Sequence, residues 1–234
     1  MTAALAIADF AEIDRVFAIE GEEMRVHRGR SVERIAVDGR THYLKRFWFL
    51  PGQVFKRYVA RGLHELRMID WLSAHGFAAP KVVARGRSGV FAFRTRVFFL
   101  MEEVPSERPF EAEWRTAGED GDGLIDALAG FAARLHDAGF VHTDFSERHI
   151  LTGRDAGAWT FRLIDVERAA IGRCDDEGAA ADLKTLAVSV MSQTLRRRIE
   201  DRFMATYIAK RQMLSPAVDF PALFAKARPT KSFK

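Results

Sequence analysis

One stretch of the sequence, Leu135–Leu151 (LHDAGFVHTDFSERHIL), constrains the fold more than any other part of the 234-residue chain. An apolar stripe at helical spacing leads into it, Gly139 is placed to end that helix, and two short strands follow with a glycine-containing turn between them. The second strand ends at Asp165, and a carboxylate at the end of an apolar strand needs a partner. The pattern predicts two chemically active carboxylates, Asp144 before the hairpin and Asp165 after it.

Strand patterns dominate the first half of the chain. Runs of β-branched residues predict strands over Val32–Val37 and Thr41–Phe47, and Asp38-Gly39 between them predicts a tight hairpin turn. Apolar residues at helical spacing predict a helix over Leu63–Ala74, ended by Gly76. Two further strands are predicted, over Val82–Ala84 and Arg96–Met101.

Helical patterns dominate the second half. The polar, glycine-rich segment Arg115–Gly123 predicts a loop, and Asp122 is placed to cap the helix that leads towards Gly139. Two more helices are predicted, over Asp182–Leu195 and Ile199–Arg211. A β-rich part followed by a helical part predicts an α+β protein with two lobes, residues 1–104 and 105–234.

Composition narrows the class of protein. The formal net charge is +4, with basic clusters at residues 196–202 and 226–234. Such clusters suit phosphate-bearing partners, or they form a solvated helix face and a frayed tail. The one cysteine, Cys174, excludes an internal disulfide and fits a reducing compartment. Because no apolar run reaches about 20 residues and the first residues lack a signal-peptide pattern, we expect a soluble cytoplasmic protein.

The chemistry that these residues suit is phosphoryl transfer from ATP. That reaction needs one carboxylate to orient the acceptor hydroxyl and accept its proton, and a second to hold the metal on the phosphates. Asp144 fits the first role and Asp165 the second. A lysine must also neutralise phosphate charge, and strand alternation places Lys45 on the opposite face from Arg46.

These residues resemble the protein-kinase-like superfamily. His142-Thr143-Asp144 is similar to the catalytic loop H-R-D of kinases, and Asp165 to the metal-binding Asp of D-F-G. The resemblance implies a two-lobed kinase fold in which Lys45 binds the ATP phosphates and Glu65 holds that lysine by an ion pair. It also implies that Asp182 hydrogen-bonds the backbone of the catalytic loop.

Two nucleotide-binding segments follow from the same resemblance. Met101–Val104 is similar to the kinase hinge, where the backbone of Glu102 and Val104 would meet the adenine edge. The glycine-rich loop is reduced to Arg28-Gly29-Arg30-Ser31, with Gly29 near the phosphates. The segment between Asp165 and Asp182 is too short for an activation loop with a phosphorylation switch.

The form H-x-D-x-x-x-x-H-I-L, followed by I-D-V-E-R-A, is similar to the Kdo/WaaP lipopolysaccharide kinases. His149 stands where other kinases carry a metal-binding Asn. The resemblance implies a sugar kinase that uses ATP and Mg2+ or Mn2+, with Asp165 and His149 at the metal. The acceptor would be a heptose or Kdo hydroxyl of the lipopolysaccharide inner core, so we expect peripheral contact with the inner face of the cytoplasmic membrane.

Alternatives remain at this point. A small-molecule phosphotransferase of the aminoglycoside- or choline-kinase type shares the fold but typically carries Asn at the position of His149. A non-catalytic kinase-fold protein would not need the full residue set, and a nucleic-acid partner is not expected because no aromatic-plus-basic surface is recognisable. Arg148 either faces the γ-phosphate or points outward and pairs with Glu147 or with an acidic residue near Asp175.

Overall fold

The computed structural model describes residues 5–50, 58–89, 95–172, 176–214 and 219–229. The chain divides into two compact units. The first consists of Met1–Ile69 and Pro80–Val104, and the second of Asp70–Ala79 and Pro105–Lys234. A five-stranded sheet dominates the first unit, whereas the second is mainly helical with two small sheets. This is the α+β, two-lobed architecture that the sequence predicts.

The sheet of the first unit has the strand order β1-β2-β3-β5-β4, and every neighbouring pair is antiparallel. The turn between β2 and β3 has positive φ angles at Asp38 (48°) and Gly39 (73°), as a tight two-residue hairpin requires. The first strand was not predicted, because all six of its residues are exposed and it carries no apolar alternation. The strands are β1 (Glu22–His27), β2 (Arg30–Val37), β3 (Arg40–Trp48), β4 (Val82–Ser88) and β5 (Arg96–Glu102).

Each face of this sheet is covered by different elements. A short 3-10 helix (Ile7–Ala11) and α1 (Ile13–Ala18) cover one face, where the buried cluster consists of Phe10, Val16, Ile35, Val37, Leu44, Phe98 and Leu100. Helix α2 (Tyr58–Ala74) begins five residues before the predicted start. Gly62 on α2 lies against the ring of Phe47, where a Cβ would be only 2.6 Å from a ring carbon.

The second unit is built from six helices in the part of the chain that the structure describes. They are α3 (Phe110–Ala117), α4 (Gly121–Asp137), α5 (Asp176–Ser189), α6 (Gln193–Arg198), α7 (Met204–Leu214) and α8 (Phe220–Lys226). A π-helical turn, Ile199–Phe203, leads into α7. The strands are β6 (Arg108–Pro109), β7 (Phe140–Val141), β8 (Ile150–Asp155), β9 (Ala158–Leu163) and β10 (Ala170–Ile171), in the sheets β6-β8-β9 and β10-β7.

Three predictions about this unit are wrong. The segment Arg115–Gly123 is not a loop, because it holds the end of α3, a 3-10 turn and the start of α4. Asp122 lies in the first turn of α4 rather than at its cap. The helix predicted over Asp182–Leu195 is broken, because Ser192 begins a new helix by accepting a hydrogen bond from the Leu195 N–H.

Two arginines of the basic cluster at residues 196–202 form ion pairs within the second unit. Arg202 forms hydrogen-bonded ion pairs with Asp122 and Asp126 of α4. Arg198 lies 3.5 Å from Asp122, and Arg196 donates to the Val190 carbonyl just after α5. This surface is therefore a helix-to-helix contact as much as a site for a phosphate-bearing partner. Cys174 and residues 230–234 lie outside the described residues.

Across the described ranges, no helix is at once long enough and apolar enough to cross a membrane.

Candidate functional site

The predicted phosphate-binding lysine is fixed in the first unit. Lys45 Nζ lies 2.6 Å from Glu65 Oε1, which joins β3 to α2. The Glu65 side chain is 1% exposed and that of Lys45 12%, so the pair is shielded from water. Lys45 also lies over the Phe99 ring, 5.9 Å from its centroid. The expected partnership of Lys45 with Glu65 is present, and it holds the ammonium group at one position on the sheet.

The other predicted nucleotide contacts lie in the same unit. Gly29 is buried in the β1–β2 turn with φ of 91°, and its carbonyl accepts a hydrogen bond from the Trp48 N–H. Glu102 ends β5, and its backbone N–H donates to the Lys81 carbonyl, so that N–H is not a donor for adenine. Val104 follows the strand as half-buried chain.

In the second unit, the β8–β9 hairpin brings His149 and Asp165 together. His149 immediately precedes Ile150, which pairs with Leu163, and the Ile164 N–H donates to the His149 carbonyl at 3.0 Å. The two predicted metal ligands thus flank the open end of one hairpin. His149 Nε2 lies 3.6 Å from Asp165 Oδ2.

The tautomer of His149 fits a metal at that point. Its Nδ1 lies 3.0 Å from the Asp144 carbonyl, which can only accept a hydrogen bond, so Nδ1 carries the proton; in a neutral ring, Nε2 would then offer its lone pair to a cation beside Asp165. Two donors that bind one cation at about 2.1 Å stand about 3.0–3.6 Å apart for angles of about 90–120°. The observed separation is compatible with a shared cation.

Asp144 lies at the centre of the catalytic loop and is 3% exposed. Its backbone N–H donates to His142 Nδ1 at 3.3 Å, and its carboxylate Oδ2 is 3.5 Å from His149 Nδ1. Asp182 on α5 accepts hydrogen bonds from the N–H groups of His142 at 2.6 Å and Thr143 at 2.8 Å. This is the support for the loop backbone that the resemblance implies for Asp182.

Backbone strain marks the same two motifs. Thr143 has φ of 62° and Asp165 φ of 57°, in the left-handed region that residues other than glycine rarely adopt. For a β-branched residue such as Thr143 this conformation is costly, by about 1–3 kcal/mol. The Thr143 hydroxyl donates to the Arg168 carbonyl, which helps to hold the strained loop. Sequence reasoning missed this strain, because nothing in the residue type signals it.

His142 is a neutral, buried part of the loop. Burial is the main cause that lowers its pKa to about 4, with a smaller contribution from His149 and an opposing one from Asp182. Nε2 donates to the Ile164 carbonyl at 3.1 Å, while Nδ1 accepts from the loop. The ring therefore links the catalytic loop to the strand end before Asp165.

Arg148 is exposed on a 3-10 turn, Glu147–His149. Burial raises the pKa of Glu147, the charge of Glu111 adds to the rise, and the charge of Arg148 opposes it. Arg148 thus acts electrostatically on Glu147 in this structure. Ser146 lies two residues after Asp144, where Ser/Thr protein kinases carry a lysine. It is fully buried, with its hydroxyl 3.0 Å from His149 Nδ1.

Comparison with known proteins agrees with this geometry. The model of the lipopolysaccharide kinase (Kdo/WaaP) family matches residues 15–207. The chain belongs to the lipopolysaccharide kinase (Kdo/WaaP) family. It is 28% identical over 215 residues to the lipopolysaccharide core heptose(I) kinase WaaP of Pseudomonas aeruginosa, covering 84% of this chain and 80% of that protein.

Two further similarities place this family member among kinase folds. A solved structure described as WaaP in complex with acyl carrier protein superposes with a TM-score of 0.70 and 26% identity, covering 91% of this chain and 88% of that one. An aminoglycoside 3'-phosphotransferase of Streptomyces ribosidificus is 33% identical over 103 residues, or 44% of this chain and 36% of that enzyme. As a family member, the chain is a phosphotransferase, and the kinase family implies ATP and a divalent metal.

Proposed function

We propose that this kinase transfers the γ-phosphate of ATP to a hydroxyl of heptose or Kdo in the lipopolysaccharide inner core. The observation that carries the proposal is the strained, buried loop that presents Asp144 while Asp182 holds its backbone. The similarity to a heptose(I) kinase over most of both chains supports a sugar acceptor. The reaction would take place at the inner face of the cytoplasmic membrane, in peripheral contact with it.

Each residue then has one role. Asp144 orients the acceptor hydroxyl and receives its proton, while Lys45, fixed by Glu65, neutralises the α- and β-phosphates. Asp165 and His149 would hold the divalent metal, which neutralises charge on the phosphates when bound. The Glu102 carbonyl and the Val104 N–H would contact adenine, and the Gly29 turn would lie along the phosphates.

The test uses purified protein, ATP and dephosphorylated core oligosaccharides that end in heptose or in Kdo. Mass spectrometry should detect one added phosphate on one of the two. Asp144→Ala should lower turnover by about 10²–10⁴-fold with ATP affinity retained, because Asp144 contacts the acceptor rather than the nucleotide. The matched control is Asp155→Ala, which removes an exposed carboxylate at the turn of the β8–β9 hairpin. Near-normal turnover of Asp144→Ala would remove Asp144 from the reaction.

The metal preference follows from the nitrogen ligand. Mg2+ favours oxygen ligands, whereas Mn2+ accepts imidazole more readily. We therefore expect Mn2+ to support turnover at least as well as Mg2+, and His149→Asn to shift the preference towards Mg2+. A wild-type enzyme that works with Mg2+ alone would show that His149 is not a direct ligand.

We propose that Arg148 faces the γ-phosphoryl group once ATP is bound, in place of the lysine that Ser/Thr protein kinases carry at the position of Ser146. The transferred group gathers charge on its equatorial oxygens, so a cation besides the metal should stabilise it. Arg148→Ala should lower kcat much more than it weakens ATP binding, and Arg148→Lys should restore part of the loss. Arg154→Ala, which removes an exposed arginine from the distal hairpin, is the control. Unchanged kcat for Arg148→Ala would show that Arg148 interacts with Glu147 and not with the γ-phosphoryl group.

A second candidate activity is phosphorylation of an aminoglycoside, which the partial similarity to the Streptomyces ribosidificus enzyme favours. The same assay with an aminoglycoside as acceptor separates the two. Phosphate transfer to the antibiotic but to neither core oligosaccharide would establish the alternative.

The solved WaaP structure contains acyl carrier protein, and we extend that partner to this chain as a proposal. Co-elution of the two purified proteins in size-exclusion chromatography is the expected result. Separate elution at micromolar concentrations would contradict it.

A further inference from the structure

A buried chain of polar groups runs from α7 to the catalytic loop inside the second unit. The Tyr207 hydroxyl lies 2.8 Å from His136 Nδ1, and His136 Nε2 lies 3.5 Å from Asp182 Oδ2. All three residues are at most 1% exposed. The Asp182 carboxylate in turn accepts hydrogen bonds from the N–H groups of His142 and Thr143. Two residues, His136 and Asp182, therefore connect the Tyr207 hydroxyl on α7 to the backbone that presents Asp144.

The chemistry of these polar groups determines which of them donates each hydrogen bond. A carboxylate oxygen can only accept, so the nitrogen that faces Asp182 must carry the proton if the contact is favourable. Within the described residues, His136 Nε2 has no partner at normal hydrogen-bond distance, and Asp182 Oδ2 at 3.5 Å is the charge beside it. In a neutral imidazole the other nitrogen is then an acceptor, and the tyrosine hydroxyl can donate to it.

We propose that Tyr207 is a positioning residue, which donates its hydroxyl proton to His136 Nδ1 and so keeps the Nε2–H of His136 directed at Asp182. With the opposite tautomer, a lone pair on Nε2 would face the carboxylate and repel it. Asp182 would then shift from the two N–H groups that hold the strained loop. The effect on turnover rests on the proposed role of Asp144, whereas the tautomer does not.

The first experiment reads the tautomer directly, on the wild-type full-length protein without nucleotide. The 15N chemical shifts of the His136 ring, assigned by their loss in His136→Gln, should be those of a neutral ring with the proton on Nε2. A proton on Nδ1, or on both nitrogens, would overturn the proposal. This result stands even if no core oligosaccharide is ever phosphorylated, so the two proposals fail separately.

The second experiment uses Tyr207→Phe, which removes the hydroxyl and keeps the ring stacked near Phe203. We expect kcat to fall about tenfold, the factor that corresponds to the net free energy of about one hydrogen bond, with KM for ATP changed less than about twofold. Thr206→Val is the matched control, because it removes the neighbouring α7-to-α4 hydrogen bond to Asp126 without touching His136. It should leave kcat unchanged.

A double variant closes the test. If Tyr207 acts only through His136, adding Tyr207→Phe to His136→Gln should lower kcat no further. If the two substitutions instead lower kcat independently, so that their factors multiply, the Tyr207 hydroxyl acts on turnover through a contact other than His136. A Tyr207→Phe enzyme with a lowered Tm but full kcat would reduce Tyr207 to a packing residue.

Discussion

Acid should destabilise this protein through His142 more than through an exposed histidine. Burial lowers the pKa of His142 to about 4 from an ordinary value of 6.5. Between these values the unfolded chain binds the proton and the folded chain does not, so stability falls as pH falls through that window. From these two pKa values, the linkage relation gives a decrease in the free energy of unfolding of about 2 kcal/mol at pH 5 and about 3 kcal/mol at pH 4, relative to neutral pH.

The assay is urea unfolding from pH 4 to 7.5, with EDTA present and no nucleotide, for the wild type and His142→Gln. The variant has no titrating ring at this position, so its free energy of unfolding should fall less on acidification, by the amounts above. Other groups cancel in the comparison, including Glu147, whose raised pKa acts with the opposite sign. His75→Gln, which changes an exposed ring, is the control. Parallel pH curves for the wild type and His142→Gln would refute the argument.

Two further predictions concern stability. Glu33→Gln should lower the free energy of unfolding in urea by about 3 kcal/mol, because the buried guanidinium of Arg46 then lacks its carboxylate partner. Burial already lowers the pKa of Arg46. A loss below about 1 kcal/mol would show that the backbone carbonyls around Arg46 are sufficient partners. Gly139→Ala should destabilise more than Gly157→Ala, although their φ angles are 85° and 83°. A Cβ at Gly139 would lie 2.1 Å from the Gly172 carbonyl oxygen, whereas one at Gly157 meets no described atom within 4 Å, so equal Tm losses would contradict the contact.

Local patterns in the sequence predicted the β2–β3 and β8–β9 hairpins and located α2, α4, α5 and α7, but they did not predict α1, α3 or α8. The Asp38-Gly39 turn is one example, since two positive φ angles leave few residue choices. The first strand was missed because its residues are polar on both faces and exposed. The break between α5 and α6 was missed because the apolar pattern continues through Val190, and only the Ser192 cap divides it.

The sequence allowed candidate site residues to be named only where the chemistry requires a particular residue type at a motif position. The carboxylates and Lys45 could be named from their motifs, and the contact of Lys45 with Glu65 at 2.6 Å agrees with the resemblance. Tyr207 could not be found in this way, because it lies 71 residues from His136 and carries no motif. Its position depends on how α7 packs on α4, which no local pattern encodes.

The left-handed Thr143 has a consequence for ligand binding. Its conformation is set by Asp182 and the Arg168 carbonyl, both part of the protein, and not by any substrate. The loop is therefore ordered before the acceptor arrives, so little conformational entropy is lost there on binding. Calorimetry of acceptor binding should then show a heat-capacity change that reflects only the surface buried by the sugar, without the larger change that accompanies the folding of a loop.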